Sequence, residues 1–477
     1  MRDNATEIKK VLDERPYSIN SIIVEVMGTF KLNSIIRKAG FAKQDGYGVA
    51  EILALMIMLP LLMLNSVHSL YHSEFQKITT MKKDAIYRLK NREQMPWRRI
   101  LYGVAKRFQR LTNPGKIVAD TSAFIIDDTT DPRVGRHIEN VSYIFDHVVG
   151  KTRLGFKDLV LGYFDGKSFT PLDFSIHAEK GLRGKPRKEQ YKKTCVPGSP
   201  GNTRRKECTM DKITQSIAMV KRAVKHGFRA KYVLTDSRFS SKGFIQAMRQ
   251  MKNHALHVVC GVRKDKRQYT YHGKKVDAKA LIVALKQEGN AKRCRKLHTR
   301  YFEVVVSYEG VGDVTLYLCR FPYQKQWRVF LSTDTALSFL AMMEIYATRW
   351  TIEVFFKEMK QHLRLGHCPS RDFDAQVAHV TTCCILYIFL AYFRRVNAYE
   401  SLGALFEGIV SELVEKNLAQ RLWELFEELL QVVISAIAES GSVDLAQFQR
   451  SPEYAALKAL FEKSFLGNQL QTFNKSA

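Results

Sequence analysis

Among the eight cysteines there is no CxxC pair, which removes zinc ribbons and thioredoxin-type redox motifs from consideration. No Gly-x4-Gly-Lys-Ser/Thr loop occurs either, so no nucleotide cofactor or ATP-driven step is expected. Long apolar runs are missing too. The longest are Ile52–Leu64, interrupted by Pro60, and Ile385–Phe393, which Cys383 and Cys384 extend slightly. Both fall short of the roughly 20 residues that span a bilayer, so they read as buried core helices and no membrane is expected. The first residues are polar and lack the apolar centre of a secretory signal, so a cytoplasmic protein is expected. There are no internal repeats. Acidic residues are scarce: 47 Asp+Glu stand against 75 Lys+Arg, a net charge of +28. With 45% hydrophobic residues a large core can be buried, and such an excess of cations points to a polyanionic partner.

The 477 residues suffice for two to four domains at roughly 100–200 residues each. Residues 1–114 read as helical and basic. Arg98–Arg110 places Ile100, Leu101, Val104 and Phe108 at amphipathic spacing with Arg and Lys opposite, which fits either a solvated face or a DNA-binding one. From Pro114 the texture turns to strands. Ala123–Ile126 is short and apolar and ends in Asp127-Asp128, and Leu159–Phe164 and Phe169–Ile176 flank the turn Asp165-Gly166-Lys167. A helix near Met210–His226 leads to the strand Lys231–Thr235, which ends at Asp236. Another helix near Lys242–Met251 leads to the strand His257–Val262. This is a mixed α/β sheet. Residues about 263–333 have β character around the hairpin Glu309–Gly312 and read as an inserted β subdomain. Residues 367–477 read as helical, with an acidic amphipathic stretch at Leu413–Ile437. Lys180–Lys206 holds ten Lys+Arg among glycines and prolines, a composition that suits a mobile loop. Such a loop is either a solvated linker or a clamp on phosphates. His367-Cys368, just past Gly366, reads as an end-of-helix loop rather than a metal site.

One long helix is expected over Ser338–Leu365, with N-cap residues among Ser332–Thr335 and a stop at Gly366 and Pro369. Tyr346, Arg349, Glu353 and Lys360 then fall in a stripe about 60° wide and roughly 21 Å long. By itself such a stripe also suits a surface helix with an Arg349–Glu353 pair and a snorkelling lysine. The spacing Tyr-x2-Arg-x3-Glu-x6-Lys, however, resembles the YREK signature of bacterial insertion-sequence transposases. YATRWTIEVFFKEMKQHLRLG, VLTDSRF around Asp236 and FIIDDTT around Asp128 occur in that family's order, at two strand ends and on a long helix. The match covers residues 115–366.

The resemblance implies a ribonuclease-H-like core flanked by helical parts, the N-terminal one recognising DNA ends. It also implies a DDE triad that binds two divalent ions, Mg²⁺ or Mn²⁺. Hard cations that keep their waters suit a sparse carboxylate site, and in-line displacement at a phosphodiester calls for two of them. Asp236 and Glu353 would be ligands, and Tyr346, Arg349 and Lys360 would bind phosphates. The first acid is Asp127 or Asp128, because neighbours in a strand face opposite ways; the reading favours Asp128. Asp120, which lies before the strand, is the poorest choice. Trp350 and Trp327 suit either stacking on an unpaired base or the core, and the core is favoured. His137, His147 and His177 are structural. The expected activity is cleavage and strand transfer on double-stranded DNA, at element ends and target, by a homodimer that is nucleoid-associated when bound. The rivals are a nuclease of the same fold and a non-catalytic DNA-binding derivative.

Overall fold

The structure, a computed structural model, describes residues 26–397 except 42–45, 74, 77–78, 114–119, 180–190, 252–255, 323 and 325, with isolated positions between 405 and 455. The acidic stretch Leu413–Ile437 lies outside the described residues, as do 1–25 and the first part of the basic segment at 180.

The strands are β1 (Ala123–Pro132), β2 (Ser142–Asp146), β3 (Lys151–Phe164), β4 (Phe169–His177), β5 (Tyr232–Thr235), β6 (His257–Val262), β7 (Tyr269–Tyr271), β8 (Lys274–Val276), β9 (Lys292–Cys294), β10 (Thr299–Tyr308), β11 (Gly312–Arg320) and β12 (Arg328–Ser332). β3 pairs antiparallel with both β4 and β1, while β1, β5 and β6 run parallel side by side. The resulting order, β4–β3–β1–β5–β6, is the expected ribonuclease-H-like sheet. All four residues of β5 are buried, as a strand covered on both faces requires. The inserted strands extend this sheet: β12 pairs with β6, and β11, β10, β7 and β8 follow outward. The insertion also contains a helix, Ala278–Gln287, that the sequence reading passed over.

The helices are α1 (Leu32–Lys38), α2 (Val49–Leu61), α3 (Val67–Tyr71), α4 (Lys83–Lys90), α5 (Trp97–Thr112), α6 (Pro200–Cys208), α7 (Lys212–Lys225), α8 (Lys242–Arg249), α9 (Ala278–Gln287), α10 (Phe339–Ala347), α11 (Trp350–Gln361) and α12 (Phe373–Asn397). The apolar stripe of α5 is buried as its spacing requires. Its cations turn inward as well: Arg98 binds Asp173 and Glu207, Lys106 donates to the His226 carbonyl and Arg107 to that of Thr29. Most of the basic face of this helix is therefore spent inside the fold. α12 is long and apolar enough to cross a membrane by length and composition. Most of that stretch is buried against other elements, as in a core helix.

Three local expectations need correction. β1 does not stop at Ile126 but runs to Pro132, because β3 continues to pair with it as far as Gly155. The expected single helix over Ser338–Leu365 is two helices. Ser338 caps α10, and 3₁₀-type i→i−3 bonds at Thr348 and Arg349 make a tight joint before α11. The basic segment is no mobile loop at its described C-terminal end. Ser199 caps α6, which begins with Pro200, and buries Arg204. Arg204 and Arg205 meet Asp173 of β4, Glu207 of α6 itself, Glu139 in the turn before β2 and Asp374 of α12.

Candidate active site

The register of the parallel strands sets the site. The last β1–β5 pair is Ile126 with Thr235, so the next residues, Asp127 in the middle of β1 and Asp236 just past the end of β5, lie abreast. Partners in adjacent strands share a sheet face, so both carboxylates stand on one side. α11 lies across that side. Ile352, Phe355 and Met359 are buried, and the Phe355 ring sits 5.0 Å from Phe169 of β4 and 4.8 Å from Tyr387 of α12. Burying a side chain of this size contributes roughly 1.5–3 kcal/mol, which seats the helix and turns Glu353 toward the strand ends.

One guanidinium joins the two elements. Arg349 donates through Nη1 to Asp127 Oδ2 at 2.9 Å and through Nη2 to Glu353 Oε1. Its own ring partner is Tyr346, 5.7 Å away. Tyr346 in turn packs edge-on against Phe330, and burial pushes its hydroxyl up to about 12. Asp236 Oδ1 accepts the Arg238 backbone N–H at 2.8 Å, which closes the turn after β5. Burial, and then the nearby charge of Asp236, push the Asp127 carboxyl up to about 7, with Arg349 pulling the other way. Two acids crowded in a half-dry cleft call for a cation.

Asp128 is elsewhere. It faces the opposite side of the sheet, where Lys212 Nζ holds it at 2.6 Å and Arg238 approaches to 3.7 Å. Burial would raise its carboxyl, but Lys212, Lys157 and Arg238 outweigh that and hold it below the usual range. The structure places Asp127, rather than the favoured Asp128, beside Asp236, Arg349 and Glu353, and pairs Asp128 with Lys212. Asp120 lies outside β1, as expected.

Lys360 reaches β1 two residues beyond Asp127, donating to Thr129 Oγ1 at 2.7 Å. Burial lowers its ammonium, an effect offset in part by Asp158 and Asp131. Asp158 pairs with Thr129 across the strands, is wholly buried and is held protonated well above the usual range, chiefly by that burial. Sequence reasoning missed Thr129, Asp158, Arg238 and Lys212. Arg238 alone carried a signal, as a cation two residues after a strand-end aspartate.

Trp350, expected in the core, is 62% exposed beside Arg349. Trp327 is half-buried and stacks on Phe302 at 5.1 Å. His177 is buried against Ser175, and Cys368 is buried with its thiol toward the Ala375 carbonyl.

The donor set is three carboxylates, the hard oxygen ligands that a divalent ion such as Mg²⁺ takes. Among the described residues, no three His, Cys, Asp or Glu side chains are close enough to hold a metal ion as they stand. Arg349 already engages two of the three acids.

Asp127 and Asp236 abreast on parallel strands, with Glu353 on a neighbouring helix, is the arrangement that the resemblance to DDE transposases implies. Two family models agree with it: "Transposase DDE domain" matches residues 201–389 and "DDE superfamily endonuclease" matches residues 69–280. Over these residues the chain is similar to DDE transposases and endonucleases. No curated protein matches it.

Proposed function

We propose that this protein cleaves double-stranded DNA at the ends of an insertion sequence and transfers the cut strands to a target. The observation that carries this reading is the alignment of Asp127 with Asp236 on neighbouring parallel strands, with Glu353 tied to Asp127 through Arg349. Asp127, Asp236 and Glu353 would hold two Mg²⁺ or Mn²⁺ ions, which supply activation of the attacking water or 3′-hydroxyl and stabilisation of the leaving oxygen.

The chain's own groups do the rest. Arg349 and Lys360 offer charge-assisted donors to backbone phosphates on the same sheet face as the triad. Tyr346, set at the base of Arg349 and below its ionisation range, donates its hydroxyl to a phosphate or sugar oxygen. The Tyr346, Arg349, Glu353 and Lys360 set thus acts as the YREK motif that its spacing resembles. Trp350, exposed beside it, offers a face for an unpaired base. The helical part after residue 367 would bring two copies together on paired ends.

The test uses DNA flanking this gene, with Mg²⁺ or Ca²⁺, and compares the wild type with Glu353→Ala. Cleavage with Mg²⁺ that disappears in Glu353→Ala while DNA binding persists is the expected result. Cleavage that survives the substitution overturns the triad. Joined products separate transfer from simple hydrolysis, and binding without cleavage in both proteins favours a non-catalytic derivative.

A further inference from the structure

We propose that Arg349 is a built-in counter-ion that competes with divalent metal for Asp127 and Glu353, and that a DNA phosphate draws it away. Metal binding and DNA binding then reinforce each other. The inference rests on the triad reading above and concerns how the same site is assembled.

Three observations carry it. The fork of a single guanidinium spans the two carboxylates, Nη1 on Asp127 and Nη2 on Glu353, and its side chain is only 15% exposed. Asp236, the third acid, is left outside this bridge; it accepts the Arg238 backbone N–H and lies 3.9 Å from that residue's guanidinium. Among the described residues no three potential ligands converge closely enough to hold a metal.

The physical consequence follows from charge. An oxygen accepting a guanidinium N–H has a full positive charge within about 3 Å, so a divalent ion on that oxygen meets strong like-charge repulsion in a partly dry cleft. The two cations therefore exclude or strongly weaken one another. A phosphodiester gives the fork an alternative acceptor of matching geometry, and Arg349 can move to it without losing its charge-assisted bonds. Asp127 and Glu353 are then free to close around metal with Asp236. The coupling is reciprocal, so metal tightens DNA binding by the factor that DNA tightens metal.

Mn²⁺ binding to the full-length protein, read by electron paramagnetic resonance rather than by cleavage, is the test. Without DNA, Arg349→Gln is expected to bind Mn²⁺ about tenfold more tightly than the wild type, inside the roughly 5–150-fold range of coupled sites. A duplex carrying the DNA that flanks this gene tightens Mn²⁺ binding in the wild type, and that gain shrinks in Arg349→Gln. Arg349→Lys keeps the charge without the fork, and falls between the two. It also supplies the answer should the glutamine variant fail to fold. Mn²⁺ binding no tighter in either variant than in the wild type overturns the proposal. Asp236→Asn separates the two levels of inference. If it leaves Mn²⁺ binding intact, the triad reading itself fails. If it weakens Mn²⁺ binding while the Arg349 variants change nothing, only the counter-ion inference fails.

Discussion

Asp127 and Asp128 are consecutive residues of one strand, and the sheet separates them: Asp127 shares Arg349 with Glu353, while Asp128 is locked to Lys212 on the far face. The pair therefore divides into one residue beside Arg349 and Glu353 and one that Lys212 holds.

That division predicts unequal mutants. Asp127→Asn is expected to lower strand cleavage by at least about a thousandfold, the scale lost when a charge-stabilising group leaves an active site. Asp128→Asn is expected to cost far less activity. It instead loses about 1–3 kcal/mol of stability, because half-buried Lys212 loses its nearer carboxylate and keeps only Glu179 at 3.5 Å. Cleavage assays and thermal unfolding of both variants decide it. Equal loss of cleavage in the two would refute the assignment.

The same far face predicts an acid sensitivity. Burial, and then the charge of Lys212, push the His177 imidazole down to about 4. In the unfolded chain it protonates near 6.5, so between these values the unfolded state binds more protons. Its contribution to stability is complete above pH 6.5 and lost as pH falls toward 4, a total of about 3 kcal/mol. His177→Gln keeps a partner for Ser175 but cannot titrate. Unfolding midpoints measured from pH 7 to pH 4.5 should therefore fall less steeply in that variant than in the wild type. Parallel curves would remove His177 as the cause.

A third prediction concerns the buried ions behind β4. Asp173, fully buried, accepts from Arg98 and Arg222 at 2.8 Å each, with Arg204 at 3.8 Å, and these arginines hold its carboxyl down to about 2 against the effect of burial. Asp173→Asn leaves three inward guanidinium groups short of a counter-charge. The expected loss is about 3–5 kcal/mol in chemical denaturation. Replacing the exposed Lys275, paired only loosely with Glu309 at 3.9 Å, should change stability by less than about 0.5 kcal/mol. A small effect at Asp173 would mean that Glu207, which all three arginines also reach, suffices as their counter-charge.

The sequence by itself determined what depends on composition and short spacing. The excess of cations, the order of the acidic motifs, Asp236 at a strand end, and Tyr346, Arg349 and Glu353 within a few residues of one another were all legible, because local geometry carries them. The sheet was legible too, since buried strands such as Tyr232–Thr235 are apolar throughout. Only the tertiary structure separates the surroundings of Asp127 from those of Asp128. A strand's pattern says that neighbours face opposite ways, but which face is the working one depends on the register with β5 and on where α11 lies. Likewise, Lys180–Lys206 reads as loop because its composition cannot bury itself. Arg205 is nonetheless half-buried beside Asp374, 169 residues away, and pairing across that separation leaves no trace in a local pattern. The joint at Thr348 and Arg349 is of the same kind: helical propensity runs through it, and the packing of α10 and α11 against different parts of the sheet turns the chain there.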